Sequence, residues 1–159
     1  CLASALATRC QAAHIHALDL SEAALALARK NAERHGLAER TTFHFGDGFR
    51  ALPAELRFDL VVSNPPYIPT ADLATLQPEV RDFDPRAALD GGTDGLNFYR
   101  LLAGEAPAWL KPGGGVFAEF GDGQEGALPE IFGGFGWQAI AVHRDLSGHP
   151  RVIEAWRTA

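Results

Sequence analysis

The segment Asn64-Pro65-Pro66-Tyr67 combines residue types that can bind a flat amino group. Neither proline has an N–H, and both hold the chain extended, so the nearby carbonyl groups are available as acceptors. A following proline also keeps Asn64 out of the helical conformation, with its side-chain oxygen as a further acceptor. Tyr67 offers an aromatic face that can stack on the bound group. We therefore predict a rigid site for a planar –NH₂ group, although Asn-Pro can also simply end a strand.

Two acidic residues follow other predicted strands. Asp19 ends a strand, where its carboxylate can accept hydrogen bonds from both hydroxyls of a ribose; alternatively it is an acidic residue favoured at the N-terminus of the next helix. Asp47 lies between Gly46 and Gly48, where the backbone can approach a flat ring closely, and Phe49 offers an apolar face. The alternative for Asp47 is an ordinary Asp-Gly turn.

Strand and helix patterns alternate along the chain and position these residues. Strands are predicted over 14–19, 41–45, 58–63, 116–120, 138–142 and 152–156, and helices over 1–9, 96–110 and 125–132. A further helix is predicted between Ser21, its N-cap, and Gly36, which suits the position after its end, and the run 111–115 is predicted to be a turn. The segment 68–95 is predicted to be a long loop with one helical turn near 72–76, and loops of that length are usually functional. The alternation predicts an α/β fold with a mostly parallel sheet. Because such sheets bind ligands at the carboxyl ends of their strands, we expect Asp19, Asp47 and Asn64 to face one site.

Composition limits the class of protein. The 159 residues are 47% hydrophobic and 21% charged, as expected for one folded domain. The net charge of −6 disfavours direct binding to nucleic acid, and no apolar run is long enough to span a membrane. Cys1 and Cys10 match neither a disulfide framework nor a metal-binding spacing, which predicts a cytoplasmic location. Because the chain lacks methionine and begins at Cys1, we expect it to be part of a longer protein.

Longer stretches of the chain resemble a known family. Ser63-Asn64-Pro65-Pro66-Tyr67-Ile68 resembles the motif of class I amino-methyltransferases that use S-adenosylmethionine. The segment 79–100 and the run Leu110-Lys111-Pro112-Gly113-Gly114 are similar, more specifically, to the release-factor glutamine methyltransferases. The resemblance covers nearly the whole chain, and the segment 79–100 is its most specific part.

This resemblance implies a Rossmann-like class I methyltransferase sheet, mostly parallel with an antiparallel C-terminal strand. One partial catalytic domain, 1–159, is expected, without the family's first strand, its glycine-rich loop and its N-terminal substrate-recognition domain. Strands next to a missing central strand would leave backbone groups unpaired, at a cost of about 1–3 kcal/mol each. We therefore expect these 159 residues alone to fold poorly or to bind the cofactor weakly.

The resemblance also implies roles for individual residues. Asp19 would hold the ribose of S-adenosylmethionine, and Asp47, Gly48 and Phe49 would line its adenine pocket. The catalytic residues would be Asn64, Pro65 and Tyr67, with Asn64 also close to the cofactor. The substrate-binding residues would be Asn64, Pro65, Pro66 and Tyr67, and the segment 68–95 would form a wall beside them.

The implied reaction is methylation of the N5 nitrogen of a glutamine side chain in a peptide chain release factor. A carboxamide nitrogen is a poor nucleophile, so alignment with the methyl donor is the main task of the site. Acceptors on both N–H groups would stabilise positive charge that develops on nitrogen. Asparagine has no useful pKa, so Asn64 would orient the amide and would not act as a base.

Other functions remain open from the sequence. A glutamine of a ribosomal protein and the amino groups of adenine (N6), guanine (N2) and cytosine (N4) also fit the motif. Gly121–Gly126 matches G-x-G-x-x-G and suggests an NAD-dependent oxidoreductase, although Asp122 would repel a pyrophosphate. A remnant that only binds a partner is a third class. His14, His16 and His44 lack the carboxylate or cysteine that would complete a metal site.

Overall fold

The computed structural model describes residues 2–158, so Cys1 lies outside the described residues. The chain divides into two compact units, Cys1–Leu56 and Arg57–Ala159. Within residues 2–158, no helix has both the length and the apolar character needed to cross a membrane.

The first unit contains two helices and a pair of parallel strands. The helices are α1 (Leu2–Arg9) and α2 (Glu22–Arg34), the strands are β1 (Ile15–Asp19) and β2 (Thr41–Phe45), and two short 3-10 helices span Ala38–Arg40 and Gly48–Ala51. In the register of the two strands Asp19 lies opposite Phe45. One hydrophobic cluster of this unit consists of the buried residues Ala7, Ala32 and Leu37, with Ile15 and Phe43 packed against them.

Helix α2 begins and ends where the sequence predicts. The Ser21 hydroxyl oxygen accepts a hydrogen bond from the Ala24 N–H at 3.1 Å, which satisfies one of the free donors at the start of the helix. Leu25 and Ala32, seven residues apart on one face, are buried. Gly36 follows the helix with φ +67°, a conformation in which glycine has no steric penalty.

The second unit is built on a four-stranded sheet. Its strands are β3 (Phe58–Ser63), β4 (Leu110–Glu119), β5 (Gln138–Arg144) and β6 (Pro150–Trp156), and its helices are α3 (Pro78–Arg81), α4 (Asn97–Glu105) and α5 (Ala127–Gly134). The strand order is β3-β4-β6-β5. β3 is parallel to β4, and β6 is antiparallel to both of its neighbours, β4 and β5. The predicted α/β class with an antiparallel C-terminal strand is therefore confirmed.

Two predicted boundaries in this unit were wrong. The helix predicted over 96–110 ends at Glu105 and continues only as the 3-10 turn Ala106–Ala108, because Pro107 has no N–H to donate to a continuing helix. The glycine-rich run 111–115, predicted to be a turn, belongs to β4. Gly115 allows this because a Cβ there would lie 2.6 Å from the Trp156 ring, which packs directly on the strand.

Tyr99 joins helix α4 to the carboxyl end of β4. It is fully buried, and its hydroxyl donates to the Glu119 carbonyl at 2.7 Å. Burial raises the pKa of the Tyr99 phenol, and the nearby Tyr67 and Glu119 raise it further. The hydroxyl therefore stays protonated and keeps its role as a donor.

Tyr99→Phe is expected to destabilise the protein, because it leaves the Glu119 carbonyl without this donor. The expected loss in free energy of unfolding is about 1–3 kcal/mol, the cost of an unsatisfied buried polar group, and urea denaturation measures it. Thr75→Val is the matched control, because the Thr75 hydroxyl donates to the Asp72 carbonyl in an exposed turn. Equal stability of the Tyr99→Phe variant and the wild type would show that the buried hydrogen bond contributes nothing.

Candidate functional site

The bend Asn64–Tyr67 directly follows β3, as the sequence predicts. Ser63, the last residue of β3, pairs with Ala118 of β4, so the start of the bend is fixed to the sheet. Asn64 is exposed, Pro65 is buried, and Pro66 and Tyr67 are half-buried. The bend is therefore held through Pro65 and presents the Asn64 side chain to solvent.

The segment 68–95 closes on itself directly after the bend, with residues 89–92 parallel to residues 68–70, and it is more ordered than predicted. The Ile68 N–H donates to the Leu89 carbonyl at 3.0 Å, and the Ile68 carbonyl accepts from the Gly91 N–H at 2.8 Å. Two residues later the Thr70 N–H donates to the Gly92 carbonyl at 2.9 Å. The segment contains α3 and two 3-10 helices, Thr70–Thr75 and Arg86–Ala88, and the first of these lies where one helical turn was expected.

Asp90 stabilises the conformation of the segment 68–95 through hydrogen bonds and an ion pair. One of its carboxylate oxygens accepts from the Thr70 hydroxyl at 2.7 Å and from the Gly92 N–H at 3.0 Å. The other lies 3.2 Å from the Arg86 guanidinium. The hydrogen bond from Thr70, followed by that from Gly92, holds the pKa of Asp90 below its usual value. The carboxylate is thus ionised at neutral pH and keeps these contacts.

Three glycines surround Tyr67. A Cβ on Gly91 would lie 2.8 Å from the Tyr67 Cα, and one on Gly121 would lie 2.8 Å from the Tyr67 ring. Gly95 has φ +76°, and a Cβ there would lie 2.3 Å from the Tyr67 carbonyl oxygen. Any side chain at these positions would displace Tyr67, so the glycines define the space that it occupies.

Gln124 is a site residue that the sequence analysis missed. Its side chain is buried; its amide nitrogen donates to the Tyr67 carbonyl at 3.0 Å and to the Gly95 carbonyl at 3.2 Å. Its amide oxygen accepts from the Gly121 N–H at 3.0 Å. Nothing in its residue type or spacing distinguished it from a surface glutamine, because its partners are far apart in the sequence.

These contacts also explain the G-x-G-x-x-G pattern at 121–126. The Gly121 N–H, which would face a pyrophosphate in a dinucleotide site, is already bonded to Gln124. Asp122 pairs with Arg151 at 2.9 Å, and helix α5 begins only at Ala127. The pattern therefore reflects packing against Tyr67 and gives no support to the NAD-dependent alternative.

In the first unit, Asp19 lies beside the turn that contains Asp47. One Asp19 carboxylate oxygen accepts from the Ser21 N–H at 2.8 Å, and the Asp19 carbonyl accepts from the Gly46 N–H at 3.1 Å. The Asp19 side chain is exposed. A carboxylate has room for several more hydrogen bonds, so Asp19 is oriented by the backbone and still able to bind hydroxyl groups.

The turn after β2 has an open face. Asp47 is exposed and precedes the 3-10 helix Gly48–Ala51 without a side-chain cap, while Phe49 is half-buried. Gly48 has φ +55°, and a Cβ there would meet no atom within 4 Å. Asp19 and this turn thus lie together in one unit, whereas the expectation that Asn64 faces them stays a prediction.

Three histidines of the first unit, His14, His16 and His44, form a small stack on the β1–β2 pair. The His16 Nδ1 lies 2.9 Å from the His44 Nε2, and the His14 Nε2 lies 2.9 Å from the Thr42 hydroxyl. Burial lowers the pKa of His16, and the charges of His44 and His14 lower it further, so His16 is neutral at pH 7. Across residues 2–158, no group of three or more His, Cys, Asp or Glu side chains is arranged to hold a metal ion.

The chain is similar to known methyltransferases in sequence and in structure. Residues 1–83 match a family model described as a methyltransferase domain. The chain is 49% identical over 153 residues to a release factor glutamine methyltransferase of Geobacter sulfurreducens, covering 96% of the chain and 53% of that relative. It is 45% identical over 142 residues to a release factor glutamine methyltransferase of Rhodospirillum rubrum, covering 89% of the chain and 43% of that relative. The chain spans about half the length of these curated relatives.

A solved structure shows the same fold at low sequence identity. A methyltransferase from Pyrococcus furiosus superposes with a TM-score of 0.70 at 18% identity, over 98% of this chain and 68% of that one. The resemblance predicted from the segments 63–68 and 79–100 is confirmed by these similarities.

Proposed function

The chain belongs to the methyltransferase-domain family, and from this we propose that the protein methylates the N5 nitrogen of a glutamine side chain in a peptide chain release factor, with S-adenosylmethionine as the methyl donor. The relatives named above are release factor glutamine methyltransferases, which supports the substrate. The observation that carries the proposal is the bend Asn64–Tyr67, which is anchored at its buried Pro65 and presents Asn64 to solvent.

The bend can hold a glutamine amide by its two N–H groups. The Asn64 side-chain oxygen and the Pro65 carbonyl accept one hydrogen bond each, and neither proline has an N–H that would compete for these acceptors. The Tyr67 ring, positioned by Gly91 and Gly121, packs against the plane of the amide. The two acceptors stabilise positive charge that develops on the amide nitrogen, so Asn64 works by orientation and electrostatics.

The first unit has groups that can bind the ribose and the adenine of the cofactor. S-adenosylmethionine, when bound, supplies an electrophilic methyl carbon attached to a sulfonium. The Asp19 carboxylate, exposed and oriented by the Ser21 N–H, would accept from the ribose hydroxyls. Asp47, Gly48 and Phe49 would border the adenine, and the open space at Gly48 leaves room for a ring to approach the backbone.

The proposed substrate is a component of translation, so the proposal places the reaction in the cytoplasm. The segment 68–95 follows the bend directly and is closed on itself by the hydrogen bonds of Ile68 and Thr70, so it can contact the protein substrate beside its glutamine.

The test is a methylation assay with the full-length protein and S-adenosylmethionine labelled in its methyl group. Purified release factor, ribosomal proteins and oligonucleotides that contain adenine, guanine and cytosine are offered separately, and mass spectrometry locates the methyl group. We expect label only in the release factor, on one glutamine. Label in a ribosomal-protein glutamine, in an adenine or guanine amino group, or in none of the acceptors would overturn the proposal.

A further inference from the structure

Gln124 connects three backbone segments that meet at the bend. The residue is only 8% exposed. Both N–H groups of its amide donate, to the carbonyls of Tyr67 and Gly95, and its oxygen accepts from the Gly121 N–H. The buried amide therefore makes three hydrogen bonds. Loss of any one of them would leave a buried polar group unsatisfied and would lower the stability of the protein.

Only glutamine fits this arrangement among similar side chains. Glutamate has the same shape but, when ionised, would place a carboxylate oxygen against two carbonyl oxygens, and asparagine is one methylene too short. A Cβ on Gly95 would collide with the Tyr67 carbonyl, so this carbonyl packs closely against the Gly95 backbone. The Tyr67 carbonyl is therefore held between the Gly95 backbone and the Gln124 amide, which donates to it at 3.0 Å.

The bend 64–67 is consequently fixed at both ends. At its start Ser63 pairs with Ala118 of β4, and at its end the Tyr67 carbonyl is bonded to Gln124. Gln124 is in turn bonded to Gly121, two residues beyond the end of β4. Both ends of the bend are thus attached to the carboxyl end of β4, one directly and the other through Gln124. The Asn64 side-chain oxygen and the Pro65 carbonyl lie between these two attachments.

We infer that Gln124 is a positioning residue for methyl transfer: by holding the Tyr67 carbonyl it sets the direction of the Pro65 carbonyl and of the Tyr67 ring toward the acceptor amide. This inference rests on the proposed function. Gln124 contacts the bend and not the reacting atoms, so its loss should affect alignment in the transition state more than affinity for the cofactor. Small misplacements of reacting groups can cost about 100-fold in rate.

The test uses Gln124→Glu in the full-length protein, with Gln138→Glu as the matched control because Gln138 is exposed at the start of β5. We expect Gln124→Glu to lower kcat about 10-fold to 100-fold, with the Kd for S-adenosylmethionine unchanged. Hydrogen–deuterium exchange should accelerate at the hydrogen-bonded amides of Ile68 and Thr70 and stay at the wild-type rate in β6. Gln138→Glu should change none of these quantities.

A pH series separates positioning from a general loss of structure. Burial against carbonyl oxygens raises the pKa of a carboxyl introduced at position 124, and its protonated form regains one donor. The kcat of Gln124→Glu relative to wild type should therefore rise as the pH falls. Gly95→Ala, which pushes the same Tyr67 carbonyl, should lower kcat in the same way but show no such pH dependence.

The possible outcomes separate the inference from the proposed function. Wild-type protein that methylates no release factor would refute the proposed function, and the exchange of the Ile68 and Thr70 amides would still test whether Gln124 holds the bend. Unchanged exchange and unchanged kcat in Gln124→Glu would overturn the inference. Faster exchange throughout 57–158, with kcat falling only in proportion to the folded fraction, would overturn it in favour of a purely structural role.

Discussion

Replacing Asn64 by alanine is expected to lower kcat for release-factor methylation by about 100-fold to 1,000-fold, the usual cost of removing one preorganised group that stabilises transition-state charge. The variant loses the side-chain acceptor for one N–H of the substrate amide, while β3 and the buried Pro65 still hold the backbone. Single-turnover assays at saturating S-adenosylmethionine measure the effect on chemistry. Calorimetry should show a smaller loss in cofactor affinity.

Two further variants sharpen this prediction. Asn64→Asp keeps an acceptor oxygen at the same position, so it should lose less activity than Asn64→Ala. Asn31→Ala is the control, because Asn31 lies inside helix α2, where alanine is well tolerated, and we expect wild-type turnover. Near-normal turnover in Asn64→Ala would remove the proposed role of the bend.

Asp19→Ala is expected to weaken the binding of S-adenosylmethionine about 10-fold to 100-fold. The ribose hydroxyls would lose a charged acceptor, and hydrogen bonds to charged groups contribute about 1.5–3 kcal/mol each. Isothermal titration calorimetry on the full-length protein measures the Kd directly. At saturating cofactor the kcat should stay close to that of the wild type, because Asp19 does not touch the glutamine amide.

The control for Asp19 is Glu22→Gln, which removes another acidic charge from the start of helix α2. If Asp19 acted only through the helix dipole, both variants would lower stability slightly and would change the Kd equally. A loss of affinity confined to Asp19→Ala supports ribose binding. Equal Kd values for Asp19→Ala and Glu22→Gln would contradict it.

The sequence predicted the local conformation correctly where interactions between residues close together in the chain determine it. Ser21 predicted the start of α2 because its hydroxyl reaches an N–H three residues away, and Gly36 predicted its end because it adopts a positive φ. The prolines at 65 and 66 predicted that β3 stops at Ser63, because they cannot donate to a ladder of hydrogen bonds. The same reasoning failed for 111–115, where glycines usually indicate a turn but here admit the Trp156 ring.

The sequence by itself determined the chemistry that the bend offers: an amide oxygen, carbonyls without competing N–H groups, and an aromatic ring, all within four residues of the chain. Only the tertiary structure decided what holds that bend in place. Gln124 reaches Tyr67 across 57 positions and Gly95 across 29, and the segment 68–95 is ordered by bonds to Ile68 and Thr70. Such partners are chosen by packing in three dimensions, because a glutamine has the same local preferences whether it is exposed or bonded to three distant backbone groups.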